Sequence, residues 1–163
     1  MLPSIRRARY QDAAGIFLSH QESIRQHCSK DYTQAEILAW TDRYFRPSLW
    51  HQSIDRDFLW VVEENQRILG FGHFAVLLEN AGEIMGLYLL PEAIGRGLGR
   101  EMFKQFITVA KENCVHVIEL QSTLTAESFY VQMGCLPTGP SETIEMRGVP
   151  IPCIPMKYKV NFE

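Results

Sequence analysis

Glu83-Ile84-Met85-Gly86-Leu87-Tyr88-Leu89-Leu90-Pro91-Glu92-Ala93-Ile94-Gly95-Arg96-Gly97-Leu98-Gly99-Arg100 runs from a strand-like segment, through a proline, into alternating glycines. Pro91 cannot donate to a sheet ladder and stops the strand. Behind the glycines, Leu98, Met102, Phe103, Phe106, Val109 and Ala110 recur at three- and four-residue steps, the apolar face of a helix. Gly95, Gly97 and Gly99 therefore join a strand to a helix N-terminus. Glycine lets the backbone approach a ligand closely and adopt positive φ. The helix start adds unpaired N–H groups and the positive end of the helix dipole. With Arg96 and Arg100 alongside, this suits an anion, best a phosphate or pyrophosphate. A tight turn without a ligand accounts for the glycine spacing equally well. The Gly-Lys-Ser/Thr of a P-loop is absent. The spacing is G-x-G-x-G rather than G-x-G-x-x-G, and it falls on roughly the fourth strand, which excludes a Rossmann dinucleotide turn.

On the N-terminal side, residues 4–9 alternate like a strand. Ala13, Ile16, Phe17, His20 and Ile24 give residues 11–27 one apolar helical face. Thr33 and Glu36 form a capping-box pattern that opens a second helix carrying Ile37, Leu38, Trp40 and Tyr44. Pro47 is expected to end it, with a short helix or turn over residues 49–54. Residues 58–63 and 68–78 flank the polar tip Glu64-Asn65-Gln66 and predict a hairpin. Asn80-Ala81-Gly82 predicts the next turn. On the C-terminal side come a strand over 115–121 and a helix over 126–133, closed by Gly134 in a left-handed cap. A last hairpin spans 143–160, with Pro150, Pro152 and Pro155 marking it as irregular or edge-like. The order β-α-α-β-β-β-α-β-α-β-β argues for a mixed α/β or α+β chain with one sheet.

A length of 163 residues fits one domain, 1–163, with a proper core. A net charge of −3 argues against a nucleic-acid or anionic-membrane partner. No stretch approaches a membrane span, and no apolar run follows the N-terminal arginines as a signal peptide would require. The cytoplasm is the expected location. Cys28, Cys114, Cys135 and Cys153 are scattered, without metal-ligand spacing, and read as free, mostly buried thiols. No metal is expected.

The glycine loop resembles the acyl-CoA-binding signature of the GNAT superfamily, the GCN5-related N-acetyltransferases, in which a strand ends near a proline and a Gln/Arg-x-x-Gly-x-Gly/Ala loop opens a helix. Ile94 stands here where that family usually has Gln or Arg. A second stretch, Thr123-Leu124-Thr125-Ala126-Glu127-Ser128-Phe129-Tyr130-Val131-Gln132-Met133-Gly134-Cys135, is similar to the family's Asn-x-x-Ala-x-x-Phe-Tyr-x-x-x-Gly-Phe, with Thr123 for the Asn and Cys135 for the last Phe. Two such motifs in order, together with the element order over residues 4–160, extend the resemblance to nearly the whole chain. More narrowly, the layout resembles a branch of small bacterial GNAT proteins without one agreed substrate. That branch has a Tyr-Ser/Thr segment before a Trp helix, as Tyr32-Thr33 and Trp40 provide here, and a tail similar to residues 145–152.

The resemblance implies the GNAT fold: a central, mixed but mostly antiparallel sheet of about six or seven strands with helices on both faces. It implies N-acetyl transfer from acetyl-CoA to a primary amine, small-molecule or peptide, by direct attack in a ternary complex. The strands around Glu83 and Glu119 would be parallel neighbours that splay. The pantetheine arm would bond the main chain near Leu87, Tyr88, Leu89 and Leu90. The pyrophosphate would lie on Gly95, Arg96, Gly97, Leu98, Gly99 and Arg100, and Thr123, Ala126 and Phe129 of the second motif would also contact the cofactor. Tyr130 would be the general acid toward sulfur, or a packed tyrosine that positions CoA. Glu83, eleven residues before Ile94 as in histone-acetylating members, is the candidate base. Glu119 or a water chain is its rival. Tyr32, Trp40 and Cys28 would line the acceptor pocket, or else belong to the core. His73 reads as a packed or surface imidazole rather than a base.

A non-catalytic acyl-CoA sensor on the same scaffold is the main alternative. A serine acyl-enzyme is disfavoured by the lack of a Gly-x-Ser-x-Gly elbow. The acceptor stays open among protein amines, polyamines, amino acids and antibiotics. The edges of the final hairpin are compatible with a homodimer.

Overall fold

Leu59, Trp60, Val61 and Val62 are consecutive and all buried, so the strand that carries them is covered on both faces. The computed structural model describes residues 1–163. Its elements are β1 (Ser4–Arg7), α1 (Ala13–His27), α2 (Gln34–Thr41), α3 (Pro47–Arg56), β2 (Phe58–Glu64), β3 (Arg67–Val76), β4 (Ala81–Leu89), α4 (Leu98–Glu112), β5 (Val117–Thr123), α5 (Glu127–Gln132), β6 (Leu136–Pro137), β7 (Glu142–Met146) and β8 (Val149–Lys159). They form one eight-stranded sheet, ordered β1-β2-β3-β4-β5-β8-β6, with β7 also on β8. Only the β4–β5 pair is parallel. No helix is long and apolar enough to cross a membrane.

Trp60 and Val62 pack in the main core with the inner face of α4, where Met102, Phe103 and Phe106 are buried as the periodicity predicts. Leu59 and Val61 point the other way, toward Ile16 of α1. A third apolar cluster joins α1 and α2 to β8 through Ile24, Tyr32, Trp40 and Ile151. The Thr33–Glu36 capping box forms: the Glu36 N–H donates to Thr33 Oγ1 and the Thr33 N–H to Glu36 Oε2, at 3.2 and 2.8 Å. The β2–β3 hairpin turns on Asn65 and Gln66, both at positive φ (49° and 65°), as a two-residue turn matching strand twist requires. Gly134 takes its left-handed conformation at φ 96°.

Three local expectations are corrected. The second helix stops at Thr41, before Pro47. Pro47 instead opens α3, in the first turn, where a missing N–H costs nothing. The turn before β4 is built by Glu79 and Asn80, both at φ 58°, and Ala81 already belongs to the strand. The two-residue β6 brings the sheet to eight strands rather than six or seven.

The sheet is not continuous through its middle. β4 pairs with β5 only from Ala81–Val117 to Ile84–Leu120. On its other side, β4 slips register against β3: Phe74 faces Ile84, but His73 faces Gly86, which leaves Met85 as an extra, bulged residue. Beyond the bulge β4 stays on β3 and β5 stays on β8, so the two parallel strands separate.

Candidate active site

The separation leaves the β5-facing edge of residues 85–89 without a strand partner, while Leu87 and Leu89 remain paired with Gly72 and Gly70 on the β3 side. A cavity of about 440 Å³ lies along that edge. Leu87, Tyr88 and Leu89 form one wall, Ala126, Phe129 and Tyr130 the other, and Gly95, Gly97, Gly99 and Arg100 close the far end. The first helical bond of α4 runs from the Glu101 N–H to the Gly97 carbonyl at 3.1 Å, so the amides of Leu98, Gly99 and Arg100 precede the ladder. Gly95 and Gly97 hold φ of 78° and 79°, and a Cβ on either would meet nothing within 4 Å. They need glycine for their conformation, and they bound open space edged by free amides, which fits a pyrophosphate. Gly99 is small for another reason: a Cβ there would come within 3.1 Å of the Phe129 ring, so loop and α5 pack directly together.

Most residues predicted for the donor side come together here, with three exceptions. The Leu90 N–H donates to the Leu69 carbonyl at 2.8 Å and its side chain is buried, so it presents nothing to the cavity. Arg96 turns away, its Nη2 donating to Glu64 Oε1 at 2.7 Å. Leu98 packs its side chain into the core, leaving only its backbone at the loop. Thr123 caps the entry to α5, its Oγ1 accepting the Ala126 N–H at 3.0 Å.

A second cavity, of about 420 Å³, lies between the α1–α3 layer and the sheet. Ile84, Met85, Tyr88, Gln121 and Thr123 line both cavities, so the two meet at the bulge where the strands part. Glu83 faces the second cavity. Burial, then the Glu119 carboxylate across the strand pair, push its carboxyl above the ordinary range. Glu119 lines neither cavity and is exposed, with Lys157 Nζ at 2.9 Å. His73 also faces the second cavity, its Nε2 2.8 Å from Asp57 Oδ2. A carboxylate only accepts, so Nε2 carries the hydrogen and Nδ1 is left with a lone pair. Burial outweighs Asp57 and lowers the imidazole's pKa, favouring the neutral form. This histidine is thus part of a cavity-facing pair rather than simply packed.

Tyr130 is 5% exposed and borders the first cavity. Its hydroxyl has no protein partner, yet Gln21 Nε2 is the only fully buried side-chain polar atom left unpaired, so the Tyr130 hydroxyl opens into the cavity. Burial, reinforced by Tyr88 and Cys135, pushes the phenol well above its ordinary pKa and keeps it protonated. Tyr32 and Trp40 line the second cavity as expected. Tyr32 is fixed, however, its hydroxyl donating to the Pro152 carbonyl at 2.8 Å and accepting the Leu124 N–H at 2.9 Å. Cys28 lies on the first cavity instead, and burial raises its thiol, which disfavours the nucleophilic thiolate. Sequence patterns missed Asp57, Arg43, Arg46, Trp50 and Gln121, since none sits in a motif.

Residues 22–135 match the model of the Acetyltransferase (GNAT) family. Solved structures share the whole architecture at low identity. A GCN5-related N-acetyltransferase from Rhodopseudomonas palustris superposes with a TM-score of 0.85 at 18% identity, over 98% of this chain and 96% of its own. PaiA N-acetyltransferase from Thermoplasma acidophilum gives 0.76 at 17%, over 98% and 99%. YncA from Salmonella typhimurium gives 0.73 at 19%, over 100% and 96%. With the family match spanning most of the chain, and the glycine loop and the Ala126–Phe129–Tyr130 segment facing one another across a single cavity, this chain belongs to the GNAT acetyltransferase family.

Proposed function

We propose that the chain transfers an acetyl group from acetyl-CoA to a primary amine by direct attack while both substrates are bound. One observation carries this: two cavities meet at the opening between β4 and β5, with Glu83 on one side and Tyr130 on the other. The Thermoplasma relative was solved with coenzyme A and the Salmonella one with acetyl-CoA, which supports the same donor.

An alkyl ammonium must first lose a proton, since its pKa is about 10. Glu83 accepts it, directly or through water, and releases it to solvent. The nitrogen then bonds the carbonyl carbon as the C–S bond breaks, and its second proton leaves by the same route. Free main-chain N–H groups of residues 85–89 stabilise charge on the thioester oxygen. Tyr130 protonates the departing sulfur and recovers its proton from solvent.

The test is mass detection of acetylated amine and CoA across an amine panel. Acetyl-CoA binding without turnover of any amine would favour a binding module instead. Two variants probe the parts. Gly97→Val places a β-branched residue at positive φ and fills the cradle, so the Kd for CoA by calorimetry should rise about ten-fold or more. An unchanged Kd would put the pyrophosphate elsewhere. As a base, Glu83 works only when deprotonated, so kcat/KM should climb with pH through a midpoint above the ordinary carboxylate range. Glu83→Gln should abolish that lower limb. If the limb survives, Glu83 is not the base.

A further inference from the structure

We infer that the acceptor carries a carboxylate in addition to the amine it presents for acetylation, on an apolar or aromatic body, and that Arg43 and Arg46 hold that carboxylate. This inference rests on the transferase proposal and names its substrate class.

Charge in the second cavity is unevenly placed. Its lining contains two arginines, Arg43 and Arg46, and a single carboxylate, Glu83. Both arginines sit on the connection between α2 and α3, whereas Glu83 lies on β4 at the junction with the donor cavity. Neither arginine takes part in any of the chain's ion pairs, and only the thioether of Met146, 3.9 Å from Arg43 Nη2, accepts from the Arg43 guanidinium. The nearby acids are already committed elsewhere. Asp42 pairs with Arg147 at 3.4 Å, Asp55 accepts from the Tyr10 hydroxyl at 2.5 Å, and Asp57 takes Arg56 and His73. Arg6, Arg56, Arg67, Arg96 and Arg147 find carboxylates, while Arg7, Arg9, Arg25 and Arg100, like Arg43 and Arg46, do not; what distinguishes Arg43 and Arg46 is that two unpaired guanidinium groups stand on one cavity. Arg43 is felt inside the cavity: burial first, then Arg43, hold the imidazole of His20 down at about 4.

Guanidinium groups bind carboxylates with paired N–H donors, and Arg43 and Arg46, both exposed, offer theirs at the open side of the cavity. The rest of the lining supplies no second anion for a cation to meet. A polyamine would set its remote ammonium against Arg43 and Arg46, a like-charge arrangement that is disfavoured. Trp40, Trp50, Phe71 and Tyr88 also line this cavity and give it an aromatic surface. Trp50 and Phe71 meet edge to face at 5.5 Å, and Trp40 and Tyr88 at 6.5 Å, which gives fixed apolar surfaces for a side chain. An amino-acid-like molecule satisfies all three features: anion on the arginines, body on the aromatics, amine toward Glu83.

The test uses pairs of acceptors that differ by the carboxylate: L-phenylalanine with phenethylamine, and L-tryptophan with tryptamine, with spermidine as a polycation. The wild-type protein should acetylate the carboxylated members in preference to spermidine. In Arg43→Gln and Arg46→Gln the ratio of kcat/KM between the members of each pair should fall roughly 10–100-fold, the loss of a charged hydrogen bond, and the change should lie in KM for the carboxylated member. Amine basicity differs within a pair but is the same for every variant, so it does not move this readout. As a measurement free of turnover, N-acetyl-L-phenylalanine should quench tryptophan fluorescence in the presence of CoA, and each substitution should weaken that binding. A ratio that survives both substitutions, or spermidine as the best acceptor, overturns the inference while leaving acetyl transfer standing. No turnover of any amine, with no binding of the N-acetyl product, overturns both.

Discussion

Tyr130→Phe is expected to lower kcat for acetyl transfer by about 100-fold, the middle of the range for a general acid, with the KM for acetyl-CoA within about two-fold of wild type. The substitution removes one oxygen and nothing else. The ring stays in its slot, edge-on to Phe103 and Phe129 at centroid distances of 6.5 and 5.2 Å. The lost hydroxyl bonds no other protein group, so no internal hydrogen bond is broken and the fold is undisturbed. What disappears is a proton donor facing the donor cavity, its phenol held protonated by burial. Without it the sulfur must leave as a thiolate or wait for water. Single-turnover kinetics separates the chemical step from product release. A kcat within three-fold of wild type would assign protonation to water and leave Tyr130 as a wall of the cavity. A rise in KM with kcat unchanged would make it a binding residue only.

Phe106→Ala should cost about 3–5 kcal/mol of stability, the range for truncating a buried aromatic. Phe106 has no solvent exposure. Its ring stacks on Phe74 at 5.7 Å and lies 5.7 Å from Trp60. It also sits where α4 presses on the sheet: a Cβ at Gly72 would come within 2.8 Å of its ring and 2.6 Å of the Met102 sulfur. Neighbours packed this closely cannot collapse into the space left behind, so both the transfer loss and a cavity loss are incurred. Against a total stability of about 5–15 kcal/mol for a domain, that is a large share. The melting temperature should fall by on the order of 10 °C, and the urea midpoint should drop without a change in slope. A fall of less than 2 °C would mean that α4 is not the clamp on this core.

The parts of the fold legible in the sequence are those fixed within a few residues. The Thr33–Glu36 capping box is a local hydrogen-bond exchange, and it forms as the pattern predicts. The inner face of α4 follows from helical periodicity alone. Gly95 and Gly97 take the positive φ that their spacing suggested, and Gly134 does the same at the end of α5. Pro47 misled for a related reason. A proline stops one helix and starts the next with equal ease, and its own position does not say which.

The candidate site was legible only in part. Glu83, Tyr130 and the loop at 95–99 sit in motifs, and the structure puts them around two adjoining cavities. Arg96 belonged to the same motif yet turns to Glu64, thirty-two residues earlier, because the β2–β3 hairpin brings that carboxylate beside the loop. Nothing near Asp57 or His73 in the chain announces their pair, which β2 and β3 create by lying side by side. Arg43 and Arg46 stand in an irregular connection with no pattern at all.

The sequence by itself determined most of the elements, the hairpin turn at Asn65 and Gln66, the buried stripe of α4 and the positive φ of the glycine loop, since each depends on backbone preferences and side-chain spacing over one or two turns of chain. The tertiary structure alone decided that β4 bulges at Met85, that β4 and β5 part beyond Ile84 and Leu120, and that two cavities therefore meet there. Strand register is a relation between distant segments, set by how both faces of the sheet pack, and no stretch of chain carries it alone.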